Sequence, residues 1–523
     1  MDNISLIIPM SGIGKRFIDA GYTKPKPLIE VDGKPIIKHV VNLFPGITDI
    51  TFICNKTHIE KTDMKNVLLS LFPSCKILEV PDDMKKGPVF AVYKIFDYID
   101  NNKEIILSYC DYGTVWNFDK FLSEKSKYDG LIPCYVGFHP HMLGSDNYAF
   151  CKMDGEYVSE IKEKQPFTND KMKEFASNGT YYFKSGKLVK KYFQELIDLN
   201  LSVNGEYYIS LVYNLLIRDG LKVGVFQIEK MLQWGTPYDL EIYKSWSNYF
   251  SNSVKWSPKL SCPKNTTLIL PMAGKGSRFS EVGYNIPKPF LPINDSVMVV
   301  EAVKCLPETT EKIFVCLKEH LENYDVNGTL SYYFNNVNIH EITHVTEGQA
   351  ITCELGINKF NVNLENPILI SACDNGIFYD SKKIQTYFED GDIDIIVWSF
   401  RNNQTSKINP NSYAWLEVDD NDFIKHVSCK KFIYDDPLKT HAIIGTMFFR
   451  KAKFFINGLS ENKEKGIRTN GEFYVDDVLN INIKNGLRVK VFEVDNYICW
   501  GSPNDFMTYN YWKSHFIRDT QNR

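Results

Sequence analysis

The chain writes one stretch twice, 262 residues apart. Leu6-Ile7-Ile8-Pro9-Met10-Ser11-Gly12-Ile13-Gly14-Lys15-Arg16-Phe17, followed by Gly21-Tyr22 and Pro25-Lys26-Pro27, returns as Leu268-Ile269-Leu270-Pro271-Met272-Ala273-Gly274-Lys275-Gly276-Ser277-Arg278-Phe279, followed by Gly283-Tyr284 and Pro287-Lys288-Pro289. A repeat at that distance is domain-sized, far beyond the roughly 20–50-residue period of a solenoid. A chain of 523 residues is also too long for a single core. The expected organisation is therefore two tandem domains, 1–250 and 265–523. The stretch 251–264, set in a run rich in Ser, Pro, Asn and Lys, is expected to link them.

Within each copy an apolar run ends in a glycine turn that opens into an amphipathic segment. This is a βα unit whose loop amides can face a phosphate. It lacks the three glycines of a dinucleotide fingerprint and the Gly-Lys-Ser/Thr of a P-loop. Further apolar runs, Ile50–Cys54, Cys75–Val80 and Glu104–Asp111, alternate with helical patterns. That alternation predicts an α/β fold of Rossmann-like type, in which a mostly parallel mixed sheet is flanked by helices. From about residue 130 short aromatic-rich strands appear, including Tyr148–Cys151 and Thr180–Phe183, and are expected to form a small acceptor-binding subregion. Residues 206–218 read as a helix, and Trp234–Leu240 as a turn into the last helix of the first domain.

Four features recur in both halves: the Gly-x-Gly-x-Arg loop, a Lys between two prolines, Cys-Asp-x-Gly at 110–113 and 373–376, and Asn-Gly-Glu-aromatic-Tyr at 204–208 and 470–474. Gly12 and Gly14, or Gly274 and Gly276, supply backbone donors. Arg16 and Lys26, or Arg278 and Lys288, supply positive charge around a polyphosphate. Asp111 and Asp374 end buried strands, where a hard cation such as Mg²⁺ can be held against phosphates. Together these groups suit phosphoryl or nucleotidyl transfer, in which the protein supplies position and charge neutralisation.

On these motifs both halves resemble the sugar-phosphate nucleotidyltransferases, and most closely the branch from bacterial capsule and surface-polysaccharide gene clusters. The resemblance implies transfer of a nucleoside monophosphate from a nucleoside triphosphate to a sugar phosphate, with release of pyrophosphate. It places Gly87 and Gly348 at the helix start beneath the base. It places Glu163, Lys164, Gly179 and Glu206 on the acceptor side of the first domain, and Lys430, Gly445 and Glu472 on that of the second. Departures from the family pattern are visible. The position of a second metal-binding Asp is Gln233 in one half and Cys499 in the other, which leaves Asp239 and Asp505 either to take that metal-binding role or to cap the helix that follows them, and the Glu163-Lys164 pair becomes Cys429-Lys430. Two alternatives stay open: one catalytic domain beside a nucleotide-binding regulatory or structural copy, and CTP-dependent activation of a phosphorylated polyol or other alcohol.

Composition narrows the partners. A net charge of -4 gives no electrostatic reason to expect nucleic acid. The N-terminal residues lack a signal-peptide pattern and no apolar run is long enough for a span, so a cytoplasmic protein with no membrane partner is expected. The 12 cysteines include no Cys-x-x-Cys pair, and His139-Pro140-His141 has no further ligands at zinc spacing. That His-Pro-His run is expected to line the acceptor pocket. Mg²⁺ is the one cofactor expected, a nucleoside triphosphate and a phosphorylated sugar or related small molecule are the expected partners, and a homo-oligomer is left open.

Overall fold

The strand Ile4–Met10 is almost wholly buried, and its run Ile-Ser-Leu-Ile-Ile-Pro-Met lacks the polar alternation of a sheet with one wet face. It sits at the centre of a mixed sheet. Asp49–Asn55 and Glu104–Ser108 pair with it on either side in parallel, and Lys76–Val80 extends the parallel part beyond Asp49–Asn55. The other flank turns antiparallel. Thr180–Phe183 pairs with Glu104–Ser108 and with Gly130–Tyr135, and the sheet continues through Phe175–Ser177, Ala149–Asp154 and Tyr157–Glu163. The structure, a computed structural model, describes residues 3–81, 86–252 and 260–521. The chain separates into two compact units, Met1–Ser247 and Asn248–Arg523.

The second unit has the same strand order about its own central strand, Thr267–Pro271. Parallel neighbours Glu311–Leu317, Val337–Ile342 and Ile368–Ile370 are followed by an antiparallel strand, His441–Phe449. Both faces of this sheet are packed: Ile269 lies in one apolar cluster, while Leu268 and Leu270 lie in another. Both units carry a positive-φ glycine here, Gly179 at 92° and Gly445 at 96°, yet Phe175–Ser177 and Thr180–Phe183 are separate strands in the first unit while His441–Phe449 runs through in the second. The helix Pro237–Asn252 runs into the stretch expected as a linker, and Leu260 and Cys262 already exchange backbone hydrogen bonds with Glu308. The middle of that expected linker, 253–259, lies outside the described residues.

Two features of this fold place functional groups. In each unit a two-stranded ribbon stands at the end of the parallel strands: Tyr112–Val115 with Lys230–Gln233, and Asn375–Phe378 with Asn496–Cys499. Gly113 and Gly376 lie under the indoles of Trp234 and Trp500, where an added Cβ would come within 2.8 and 3.1 Å of a ring carbon. The glycine of Cys-Asp-x-Gly is therefore required by packing, and the buried tryptophan holds the aspartate's segment in place.

The second feature fixes a helix against a strand. Asn214, on the helix Ile209–Arg218, accepts from the Ile161 N–H and donates to the Ile161 carbonyl, both at 2.9 Å. Asn480, on Val475–Lys484, clamps Val427 in the same way at 2.9 and 2.8 Å. These helices begin at residues 209 and 475, later than the 206 read from the sequence. The preceding Asn-Gly-Glu segments form tight turns, with Asn204 and Asn470 at positive φ and reciprocal bonds between Val203 and Glu206 and between Thr469 and Glu472. Asn214→Ala would leave the Ile161 N–H and C=O without that partner, at about 1–3 kcal/mol per orphaned group. The expected outcome is a lower urea midpoint for the first unit, and an unchanged midpoint would show that the clamp is dispensable.

Candidate active site

The glycine loop is shaped by one residue in each unit. Gly14 and Gly276 are left-handed at φ 71° and 62°, and a Cβ on either would reach to 3.6 and 3.3 Å from Cβ of Lys26 and Lys288. The loop thus turns back over the lysine that the Pro-Lys-Pro turn presents. Gly12 and Gly274 have neither a positive φ nor a neighbour within 4 Å of a built Cβ. Packing gives no reason for glycine there, whereas close approach of a ligand to the backbone does.

The lysine meets the strand-end aspartate in both copies. Lys26 Nζ donates to Asp111 Oδ2, and Lys288 Nζ donates to Asp374 Oδ2. Both pairs are largely enclosed, with side-chain exposures of 19% and 24% in the first unit and 17% and 25% in the second. In the second unit burial opposes both charges, yet their attraction prevails: the Lys288 ammonium is held above its ordinary range and the Asp374 carboxyl below. Arg278 contributes to that effect on Asp374. Arg16 is exposed at the loop, and its charge bears on Asp239 and Tyr208.

Asp239 and Asp505 are engaged as helix caps. Thr236 Oγ1 donates to Asp239 Oδ2 at 2.6 Å while accepting from the Asp239 N–H at 3.1 Å. Ser502 and Asp505 repeat the arrangement at 2.5 and 3.3 Å. The hydroxyl of Thr236 or Ser502 caps the third helical N–H and the Asp carboxylate folds back on it, with the Ser502 N–H completing the capping box in the second unit. Burial pushes both carboxyls up. Beside each Lys–Asp pair the donor chemistry differs. A Cβ at Gly235 would lie 3.1 Å from Asp111 Oδ2 and 3.4 Å from Gln233 Oε1, so two hard oxygens converge there. At Gly501 the corresponding atoms are Asp374 Oδ2 at 3.2 Å and Cys499 Sγ at 3.3 Å. Among the described residues no group of three His, Cys, Asp or Glu side chains is arranged to hold a metal ion. The oxygens of Asp111 and Gln233 fit a hard cation that takes its remaining ligands from phosphate and water. A protonated thiol does not, so Asp374 stands as the hard donor of that pair in the second unit.

Gly87 and Gly348, expected beneath the base, carry a packing role. A Cβ on Gly87 would meet the Tyr207 backbone N and O at 2.8 Å, and one on Gly348 would meet those of Phe473 at 2.5 Å. The surrounding backbone is bonded across this contact, Tyr207 N–H to Lys86 O at 2.8 Å and Phe473 N–H to Glu347 O at 2.8 Å. The glycine side of the cleft is therefore tied to the turn that carries Glu206 or Glu472.

On the acceptor side, Lys164 Nζ donates to Tyr208 Oη, which in turn donates to Glu206. Ser210 Oγ donates to Glu163 Oε2 at 2.5 Å. Lys164 and Lys430 both adopt positive φ, 58° and 52°, and lie over the rings of Tyr208 and Tyr474. Gly179 lies against Tyr109, two residues before Asp111, and Gly445 approaches Ala372, two before Asp374. His139 and His141 sit in a buried cluster with Tyr135 and Tyr148, and burial pushes the His139 imidazole down to about 4. One residue absent from the sequence reading joins the site. Asp476, at the start of Val475–Lys484, bears on Lys430 and Cys429. Carrying the 204–208 repeat forward by two residues aligns it with Ser210 and would have found it.

Residues 6–220 match the family described as nucleotidyl transferase, a match confined to the first unit. Over 68 residues the chain is 32% identical to the glucose-1-phosphate cytidylyltransferases of Salmonella typhimurium (strain LT2) and Salmonella typhi. That alignment takes in 12% of this chain and only 26% of those enzymes. Similar solved structures include the nucleoside-diphosphate-sugar pyrophosphorylase from Vibrio cholerae RC9, at 23% identity and a TM-score of 0.39, covering 46% of this chain and 99% of that one. The inositol-1-phosphate CTP transferase from T. maritima aligns at 15% identity and a TM-score of 0.38, covering 46% of this chain and 94% of that one. No helix among the described residues is long and apolar enough to cross a membrane.

The Glu163 environment yields a pH prediction. Burial pushes its carboxyl up to about 7, against the opposing effects of the Ser210 hydrogen bond and Lys164. A carboxyl raised on folding binds its proton more tightly in the native state, so native stability is greatest below the unfolded value and declines as pH rises toward 7. Glu163→Gln should flatten that decline in urea titrations of the first unit between pH 4.5 and 7. Parallel curves for wild type and variant would refute the assignment.

Proposed function

We propose that the first unit transfers a nucleoside monophosphate from a nucleoside triphosphate to a phosphorylated sugar or related polyhydroxy compound, releasing pyrophosphate. The observation that carries this reading is the Lys26–Asp111 pair under the glycine loop. An oxygen of the acceptor's phosphate attacks the α-phosphorus, and the bond to the β-phosphate bridging oxygen breaks as pyrophosphate leaves. Lys26 and the loop amides are placed to receive triphosphate oxygens, with Arg16 at the rim. Asp111 and Gln233 would hold Mg²⁺, which when bound supplies charge neutralisation on the phosphates. Lys164 provides a cation for the acceptor phosphate, and Glu163 and Glu206 provide carboxylates for its hydroxyls. No side chain here is required as a covalent nucleophile.

We read the second unit as a nucleotidyltransferase for a different phosphorylated acceptor. It keeps the Lys288–Asp374 pair and the Gly274–Gly276 loop, while its acceptor side keeps Lys430 and exchanges Glu163 for Cys429. Products of both units would be nucleotide-activated precursors, in a cytoplasmic role supplying a surface polysaccharide. The glucose-1-phosphate and inositol-1-phosphate specificities in the names of similar proteins mark sugar and polyol phosphates in general as acceptors to test, with CTP among the donors.

Pyrophosphate release by the full chain should be measured against a matrix of triphosphates and sugar or polyol phosphates. Asp111→Asn and Lys26→Ala should each lower the first unit's kcat by about 10²–10³, or about 3–4 kcal/mol of transition-state stabilisation. Lys288→Ala should do the same to a separate acceptor preference. Full activity in Asp111→Asn/Asp374→Asn would remove the reading.

A further inference from the structure

The exchange of Glu163 for Cys429 removes a carboxylate from the acceptor side of the second unit, and the fold returns one from across the cleft. The two asparagine clamps make this comparison exact in register. Ile161, Glu163, Lys164, Tyr208, Ser210 and Asn214 correspond to Val427, Cys429, Lys430, Tyr474, Asp476 and Asn480, all at one offset of 266 residues. Because Asn214 and Asn480 grip Ile161 and Val427 through the same pair of backbone bonds, each helix faces its strand in the same alignment. Ser210 then touches Glu163 at 2.5 Å, and Asp476 stands at the corresponding place opposite Cys429.

The two halves of one contact have thus traded chemistry. In the first unit the strand supplies a carboxyl and the helix a hydroxyl. In the second the helix supplies the carboxylate and the strand a thiol. Lys430 still lies over the Tyr474 ring, 5.5 Å from its centroid against 4.5 Å for Lys164 and Tyr208. Its ammonium, however, donates to the Ser412 carbonyl at 2.5 Å where that of Lys164 donates to the tyrosine hydroxyl, and Tyr474 is bonded to Glu472. We propose that Asp476 is the residue with which the second unit recognises acceptor hydroxyls, working beside Lys430 as Glu163 works beside Lys164. The carboxylate starts from the helix instead of the strand and its side chain is one methylene shorter. It therefore selects a phosphorylated polyhydroxy acceptor whose hydroxyls are disposed differently from those of the first unit's acceptor. Burial pushes the Asp476 carboxyl up to about 6, with Asp477 reinforcing the shift and Lys430 and the residue's own backbone N–H opposing it.

This inference rests on the second unit being a nucleotidyltransferase, and the test separates the two. Full-length Asp111→Asn protein, in which the first unit is silenced, is assayed for pyrophosphate release with CTP, UTP, dTTP, ATP and GTP against hexose 1-phosphates, polyol phosphates and inositol 1-phosphate. Asp476→Asn in that background should lower kcat/KM for the acceptor at least 100-fold while KM for the triphosphate stays within twofold. Asp476→Ser with Cys429→Glu, which rebuilds the first unit's arrangement, should recover at least tenfold over Asp476→Ser alone and move acceptor preference toward that of the first unit. A fall of less than threefold in Asp476→Asn, or an equal loss in triphosphate KM, overturns the proposal and leaves the second unit's activity standing. Absence of any release that depends on Lys288 overturns both.

Discussion

A lysine and an aspartate meeting at the end of a parallel sheet govern the arrangement of each unit. Neither charge would be tolerated alone in so enclosed a position, because desolvation of an unpaired ion costs several kcal/mol. Paired, Lys288 and Asp374 hold each other in the charged form against burial. The neighbouring structure serves this meeting. Pro25 and Pro27 present Lys26, left-handed Gly14 folds the loop across it, and Trp234 lies over Gly113 to hold the segment of Asp111. The same set recurs at Pro287, Gly276, Trp500 and Gly376. Proline, glycine and tryptophan at these positions are instruments of one electrostatic contact.

The units differ where that contact looks outward. Beside Asp111 stands the carboxamide of Gln233, and beside Asp374 the thiol of Cys499. Burial pushes that thiol up, so it remains neutral and offers a hard cation little. On the acceptor side the strand carboxylate of one unit is matched by a helix carboxylate in the other. The Lys–Asp pair and the glycine loop are the same in both units while the residues around Lys164 and Lys430 differ, which is what the proposed division of acceptors between two sites requires.

Much of this was legible in the chain. The duplicated glycine loop, the Pro-Lys-Pro turn and the Cys-Asp-x-Gly strand ends are local patterns, and each side chain they carry is placed by its immediate neighbours. The apolar runs Ile4–Met10 and Glu104–Ser108 announced buried parallel strands by their lack of alternation. What stayed hidden depended on contacts distant in sequence. Gly87 read as a nucleotide-side glycine, yet its missing Cβ admits the Tyr207 backbone, 120 residues further on. Asp239 and Asp505 read equally as metal ligands or caps, and only the hydroxyls of Thr236 and Ser502 show the caps formed. Asp476 escaped notice because periodicity places it on a helix but says nothing of which strand residue it opposes. That fact is set by the Asn480 clamp on Val427.

The backbone bonds from Tyr207 to Lys86 and Val89, and from Phe473 to Glu347 and Ala350, have a wider consequence. They fasten the two segments of each unit through the main chain, and glycine at 87 and 348 is the one side-chain identity the contact demands. Such a frame lets the other side chains on the two segments be replaced one at a time while the backbone spacing between them is preserved. On the proposed reading, selectivity would then move from one unit to the other by point changes, with no loop to rebuild.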